Sequence, residues 1–156
     1  VNLLLPSVLG PAAMDYLGLG TNEFSGAMQH TQKSGWAGSH NYFDWNGRGW
    51  EGEYNILRTN KRMMINAEEA GFVFHPAVGL TMRAFIFGQI ADYWGDAPLT
   101  EAVRGDEGEE FIQPAFDSQE SIYAAVLTDL QAAVDLFAPM YILVGICRSG
   151  RSLPTR

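Results

Sequence analysis

One cysteine in 156 residues, Cys147, cannot form an internal disulfide, and it stands apart from His30, His40 and His75, which are also isolated from one another. No zinc-ligand spacing results, no Ser or Cys nucleophile motif accompanies the histidines, and cysteine usage assigns no redox compartment. Lysine and arginine are also scarce, 10 against 18 Asp and Glu, for a net charge of −8. A nucleic-acid surface needs clustered basic residues to displace counterions from phosphates, so that partner class is excluded in favour of a neutral or weakly polar ligand. No basic segment followed by an apolar run and a small-residue cleavage site opens the chain, and Val1 is not an initiator methionine. The expectation is a removed export signal or a cut N-terminus.

What is present is a globular composition, 47% apolar, with helical periodicity and no strong strand pattern. The most informative stretch is 76–101. Pro76 suits the first position of a helix, where its missing N–H costs nothing, and Gly95 with Pro98 beyond it suits a stop. Between them only Arg83 and Asp92 are charged, with Val78, Met82, Phe85 and Ile90 on one stripe and Leu80, Ala84, Phe87 and Ala91 on another. A helix apolar over most of its circumference must be covered by neighbours, and Arg83 interrupts it short of the ~20 residues of a membrane span.

Three further helices are expected around it. Leu3 to about Leu19 places Leu5, Val8, Leu9, Ala12, Ala13, Tyr16 and Leu17 at spacings of three and four, although Gly10 and Pro11 weaken it. Trp50 to about Ala70 sets Trp50, Tyr54, Leu57, Met64 and Ala67 opposite Glu51, Glu53, Arg58, Lys61 and Arg62, and the short link to 76 favours an antiparallel pair. Asp117 with Glu120 three residues on has the pattern of a capping box before the stripe Ile122, Val126, Leu130, Ala133 and Phe137. Thr21 to about Thr31 could be an additional helix. The fold expected is all-α, antiparallel helix pairs of the tetratricopeptide-like helical-repeat type.

Four segments carry a resemblance to a known family: the opening Leu3-Leu4-Leu5-Pro6; Trp50, Tyr54, Leu57 and Asn60; Arg83-Ala84-Phe85 leading to Tyr93-Trp94-Gly95-Asp96-Ala97-Pro98-Leu99-Thr100-Glu101-Ala102; and Phe116-Asp117-Ser118-Gln119-Glu120-Ser121-Ile122-Tyr123 with Asp129-Leu130. Residues 1–138 resemble the N-terminal helical region of SusD/RagB nutrient-binding proteins. The resemblance implies a surface lipoprotein of the bacterial outer membrane that binds oligosaccharide, or peptide in RagB-type relatives, and delivers it to a TonB-dependent transporter. It implies no catalysis and no cofactor, and a lipid anchor on a cysteine outside this chain.

Residues 139–156 depart from the pattern. All acidic residues precede Met140, while Arg148, Arg151 and Arg156 crowd the end. The resemblance calls for a Gly-Gly-Asp-x-x-Lys-Trp-x-Lys-Phe-Ala-Asn run here, and codons exist for Met140 to Arg156 whose shifted reading yields such a run. A reading-frame slip and a poorly ordered tail are expected, with a natural divergent tail as the alternative.

Candidate site residues lie in the Gly-, Ser- and Asn-rich stretch before Trp50. Trp36, Tyr42 and Trp45 offer flat apolar platforms on which sugar C–H faces stack, and Asn41, Asp44 and Asn46 offer hydrogen bonds to hydroxyls. Pinning the loop to the helices is the competing use of any one ring, and the variable loops of the family carry no motif onto these positions. Trp50 and Tyr54 are expected in the core. The carboxylates Asp96, Glu101, Asp106, Glu107, Glu109 and Glu110 would be needed in a pair across a glycosidic bond for hydrolysis, but a solvated acidic loop is the simpler reading. The run from Gly105 to Glu110 lacks the ligand order of an EF-hand, so no metal is assigned. A helical-repeat interaction scaffold without a small ligand is the competing function, and a glycoside hydrolase a weaker third.

Overall fold

The computed structural model describes residues 1–18 and 49–149, with side chains for 1–18 and 49–140. Among these residues the chain forms four α-helices: α1 (Leu4–Gly18), α2 (Glu51–Glu69), α3 (Phe74–Trp94) and α4 (Gln119–Ser149). A 3-10 turn, Glu109–Phe111, lies between α3 and α4. No strand occurs among the described residues, and the one extended pairing is a bridge between Ala97 and Asp117. The all-α expectation holds. The possible helix from Thr21 to Thr31 and the aromatic loop lie outside the described residues.

Contacts across the helices fix their directions. Trp50 meets Trp94, Tyr54 meets Phe87 and Asn60 meets Gly79, so partners on α3 fall in number as those on α2 rise. The two helices are antiparallel, as their four-residue connection requires. The same holds between α3 and α4, where Phe74 meets Phe137, Arg83 meets Asp129 and Asp92 meets Tyr123. The result is a sheet of helices with α3 in the middle and α1 on α2. Val8 and Ala12 of α1, Ile56, Leu57 and Met63 of α2, Ile86, Phe87 and Ile90 of α3 and Ile122 of α4 make one core. Each large aliphatic side chain buried here contributes roughly 1.5–3 kcal/mol.

The buried face of α2 is Glu53, Ile56, Leu57, Asn60, Met63 and Ala67, rotated from the stripe that the apolar residues suggest. Two polar residues belong to it. Asn60 Nδ2 donates to Gly79 O at 2.8 Å, and Gly79 lets α3 approach that closely, since a Cβ there would lie 2.7 Å from Met64 Sδ. Glu53 is only 3% exposed. Both residues would count as solvent-facing in any pattern of hydrophobicity.

On the other side of α3, Arg83 Nε donates to Asp129 Oδ2 at 2.5 Å and its second nitrogen engages Oδ1, a bidentate pair whose carboxylate is buried. The hydrogen bonds to Asp129 raise the guanidinium pKa further above its usual value, against the lowering effect of burial. By length and composition the stretch Gln119–Met140 could cross a membrane, mean hydropathy 1.3. Its middle residue Asp129 is instead committed to α3. The backbone of α4 passes through Pro139 and on to Ser149, while the packing of Ile142 and Val144 lies outside the described side chains.

The start of α3 is Phe74, two residues before Pro76, which still falls in the first turn where N–H groups have no intrahelical acceptor. Its end is as the sequence indicates. Gly95 takes φ 77°, a left-handed conformation that a side chain resists, and its N–H closes on Ala91 O at 3.1 Å.

Candidate functional site

Side-chain hydrogen bonds are dense in the turn after α3, and its carboxylates serve backbone N–H groups. Asp117 does not cap α4. Its Oδ2 accepts from the amides of Leu99 and Thr100, both at 2.8 Å, and its Oδ1 accepts from Thr100 Oγ1 at 2.7 Å. Burial pushes the Asp117 carboxyl up, but these three hydrogen bonds together hold it below 3.8. The start of α4 is served by others: Asp96 Oδ1 accepts from Gln119 N at 2.8 Å and Ser118 Oγ from Ser121 N at 3.3 Å. Glu101 accepts from Ala115 N at 2.8 Å. Asp96 and Glu101, the carboxylates nearest the turn, are thus structural acceptors.

That fastening holds the connection against α2. Tyr54 Oη donates to Pro98 O at 2.6 Å, and burial, then the charges of Asp117 and Glu53, push its phenol far above 10.0. Lys61 Nζ donates to Val103 O at 2.8 Å and to Glu107 Oε1 at 2.6 Å. Glu107 also accepts from Arg104 Nε at 2.6 Å, and hydrogen bonds from Lys61, then Arg104, hold its carboxyl low. Arg104 itself lies over the Phe111 ring, 3.8 Å from its centroid. Val103 has φ 56°, uncommon for a β-branched residue, and the lysine on its carbonyl keeps it there.

Between α2 and this connection two grooves open, of about 670 and 810 Å³. They share Tyr54, Arg58, Val103 and Pro114, and so form one trench along α2 from Trp50 to Ile65. At 1.5 Å per residue that is roughly 22 Å. One end is aromatic: Phe116 is 62% exposed and packs at 5.6 Å on Trp50, which is itself 5.8 Å from Trp94. Asn55 and Gln113 stand beside these rings. A flat exposed ring backed by partly buried ones, with amides next to it, can stack on the apolar face of a ligand and satisfy its hydroxyls. A third cavity of about 450 Å³ lies between Met64, Phe87 and the Arg83–Asp129 pair.

The sequence-derived candidates Trp36, Asn41, Tyr42, Asp44, Trp45 and Asn46 lie outside the described residues. Trp50 and Tyr54 pack against the core as expected, yet both also line the trench. Phe116 and Gln113 were not foreseen, since nothing local marks residues some sixty positions after Trp50 as its neighbours. Of the acidic run, Asp106 and Glu107 face Lys61, and no three His, Cys, Asp or Glu among the described residues could hold a metal ion.

Antiparallel helices carrying an aromatic trench define an all-α helical protein with a concave surface open to a ligand. Residues 12–146 match the SusD-like family described as starch-binding and associating with the outer membrane. The chain belongs to that family. No curated protein and no solved structure matches it.

Proposed function

We propose that the protein binds oligosaccharide at the bacterial cell surface without covalent chemistry and delivers it to a TonB-dependent transporter of the outer membrane. The family match over residues 12–146 carries this reading. The trench supports it, with Phe116 and Trp50 as the stacking platform and Asn55 and Gln113 as hydroxyl partners. On residue chemistry alone, Trp36, Asn41, Tyr42, Asp44, Trp45 and Asn46 are proposed as further ligand contacts, the rings for stacking and the polar side chains for hydroxyls. As a surface lipoprotein, the protein would take its anchor from a lipid-modified cysteine outside this chain.

Affinity electrophoresis through gels containing starch and other soluble glycans tests it. Retardation in at least one glycan, lost on Trp45→Ala or Phe116→Ala, is the expected result. Free migration in every glycan, with binding to a transporter partner retained, would replace this reading with that of an interaction scaffold.

A further inference from the structure

Seven lysines and arginines precede Met140; Arg58, Lys61 and Arg62 line the trench, and Arg104 lines the cavity of about 450 Å³. They divide into two kinds. Lys61 and Arg104 are committed: Glu107 bridges them, Asp106 lies 3.8 Å from Lys61 Nζ, and Arg104 covers Phe111. Arg58 and Arg62 have no such partners. In a chain with 18 carboxylates, none among the described residues comes within 4.0 Å of either guanidinium, and neither makes a side-chain hydrogen bond there.

The pair stands one helical turn apart on α2, where like charges repel and weaken the helix. Both side chains line the wall of the 810 Å³ groove, and Arg58 also lines the aromatic one. Glu51, at the far end, is the acidic residue on the aromatic groove, and Asp106 faces the other from the lysine side. The trench therefore runs from an aromatic platform to two unneutralised planar forks, each shaped for a carboxylate or a sulfate.

We infer that the glycan bound in this trench is acidic, its sugar rings stacking at Phe116 and Trp50 while Arg58 and Arg62 engage uronate carboxylates or sulfate esters on neighbouring units. The inference rests on the glycan-binding reading and departs from a plain starch ligand. A chain of net charge −8 repels polyanions at long range, so an acidic preference would have to come from these local contacts, and screening at physiological ionic strength weakens the repulsion first.

Calorimetric titration of the chain at physiological salt with three hexasaccharides separates the outcomes: oligogalacturonate for carboxylate, chondroitin sulfate for sulfate, and maltohexaose as the neutral reference. One acidic ligand at least should bind about tenfold or more tightly than maltohexaose, and the double change Arg58→Gln, Arg62→Gln should bring that ratio to about one. Phe116→Ala should weaken acidic and neutral ligands alike. Equal or tighter binding of maltohexaose, or an acidic preference that survives the double change, overturns the inference and leaves the glycan-binding reading standing. Binding of no hexasaccharide by a chain whose circular dichroism is helical overturns the inference and, if the gels also show no retardation, the reading beneath it.

Discussion

Two walls of the same trench differ in how their polar groups are used. In the connection after α3, Asp96, Glu101, Asp117 and Thr100 are all engaged in hydrogen bonds within the protein, and their partners are mostly backbone amides. Across from them on α2, Arg58 and Arg62 have no carboxylate partner among the described residues, and on the connection itself Phe116 exposes 62% of its surface. Groups that satisfy one another build a scaffold. Groups left unsatisfied at a concave surface are what a ligand can use. The most distinctive sequence signature therefore serves mainly the framework, and the trench beside it combines Trp50, Tyr54 and Phe116 of the family segments with Asn55, Arg58 and Gln113, which belong to none of them.

The sharpest way to break the framework is at its half-buried ion pair. Asp129→Ala leaves the Arg83 guanidinium without its bidentate partner between α3 and α4, and a loss of about 2–3 kcal/mol is expected, below the usual cost because Arg83 keeps contact with water. Its side chain is 44% exposed. Urea unfolding measures the effect, and the joint change Arg83→Met, Asp129→Leu should recover most of it. A double variant no more stable than Asp129→Ala would show that the pair is not the origin of the loss.

Asp117→Ala should cost about 1–3 kcal/mol, since two amides and a hydroxyl lose their acceptor. Its pH dependence has a definite sign. The folded carboxyl titrates below 3.8, so its contribution is present above the unfolded value and disappears as pH falls through the folded one. Wild type and Asp117→Asn should thus differ in unfolding midpoint above about pH 4 and converge as pH falls through the folded value. A gap that stays constant across that range would place the role of Asp117 elsewhere.

Gly79→Ala tests the close approach of α2 and α3. The new methyl meets Met64, a flexible side chain, and alanine favours the helix, so the net loss should be about 1 kcal/mol. Thermal unfolding reads it, and an increase in stability would mean that Met64 swings aside freely.

How much of this was legible in the sequence depends on whether the cause was local. The all-α class, the antiparallel α2–α3 pair and the glycine that ends α3 all follow from spacing within a few residues. The buried face of α2 did not, because Asn60 and Glu53 are buried for reasons held by other elements; the Asn60 partner is a carbonyl on α3. Asp117 misled in the same way. Its position before a helix, with Glu120 following, has the pattern of a cap, yet the chain folds back so that Leu99 and Thr100 reach it first. The trench is the extreme case, since Trp50, Arg58 and Phe116 meet only after α3 has run its length and the connection has returned.

The smallest structural change should come from Phe116→Ala, and it bears most directly on the difference between groups satisfied within the protein and groups left open at the trench. The ring packs on Trp50 but lies largely in solvent, so its loss should shift stability by no more than about 0.5 kcal/mol. If Phe116 belonged to the framework, truncation would instead destabilise the protein as Asp117→Ala does. Its neighbour in sequence, Asp117, thus supplies the internal control: adjacent residues, one truncated with a stability loss, the other with a loss of glycan retention alone. Urea unfolding and affinity electrophoresis on the same two variants read both outcomes. A ring that affects unfolding but not retention would move Phe116 to the framework side and leave the trench without its platform.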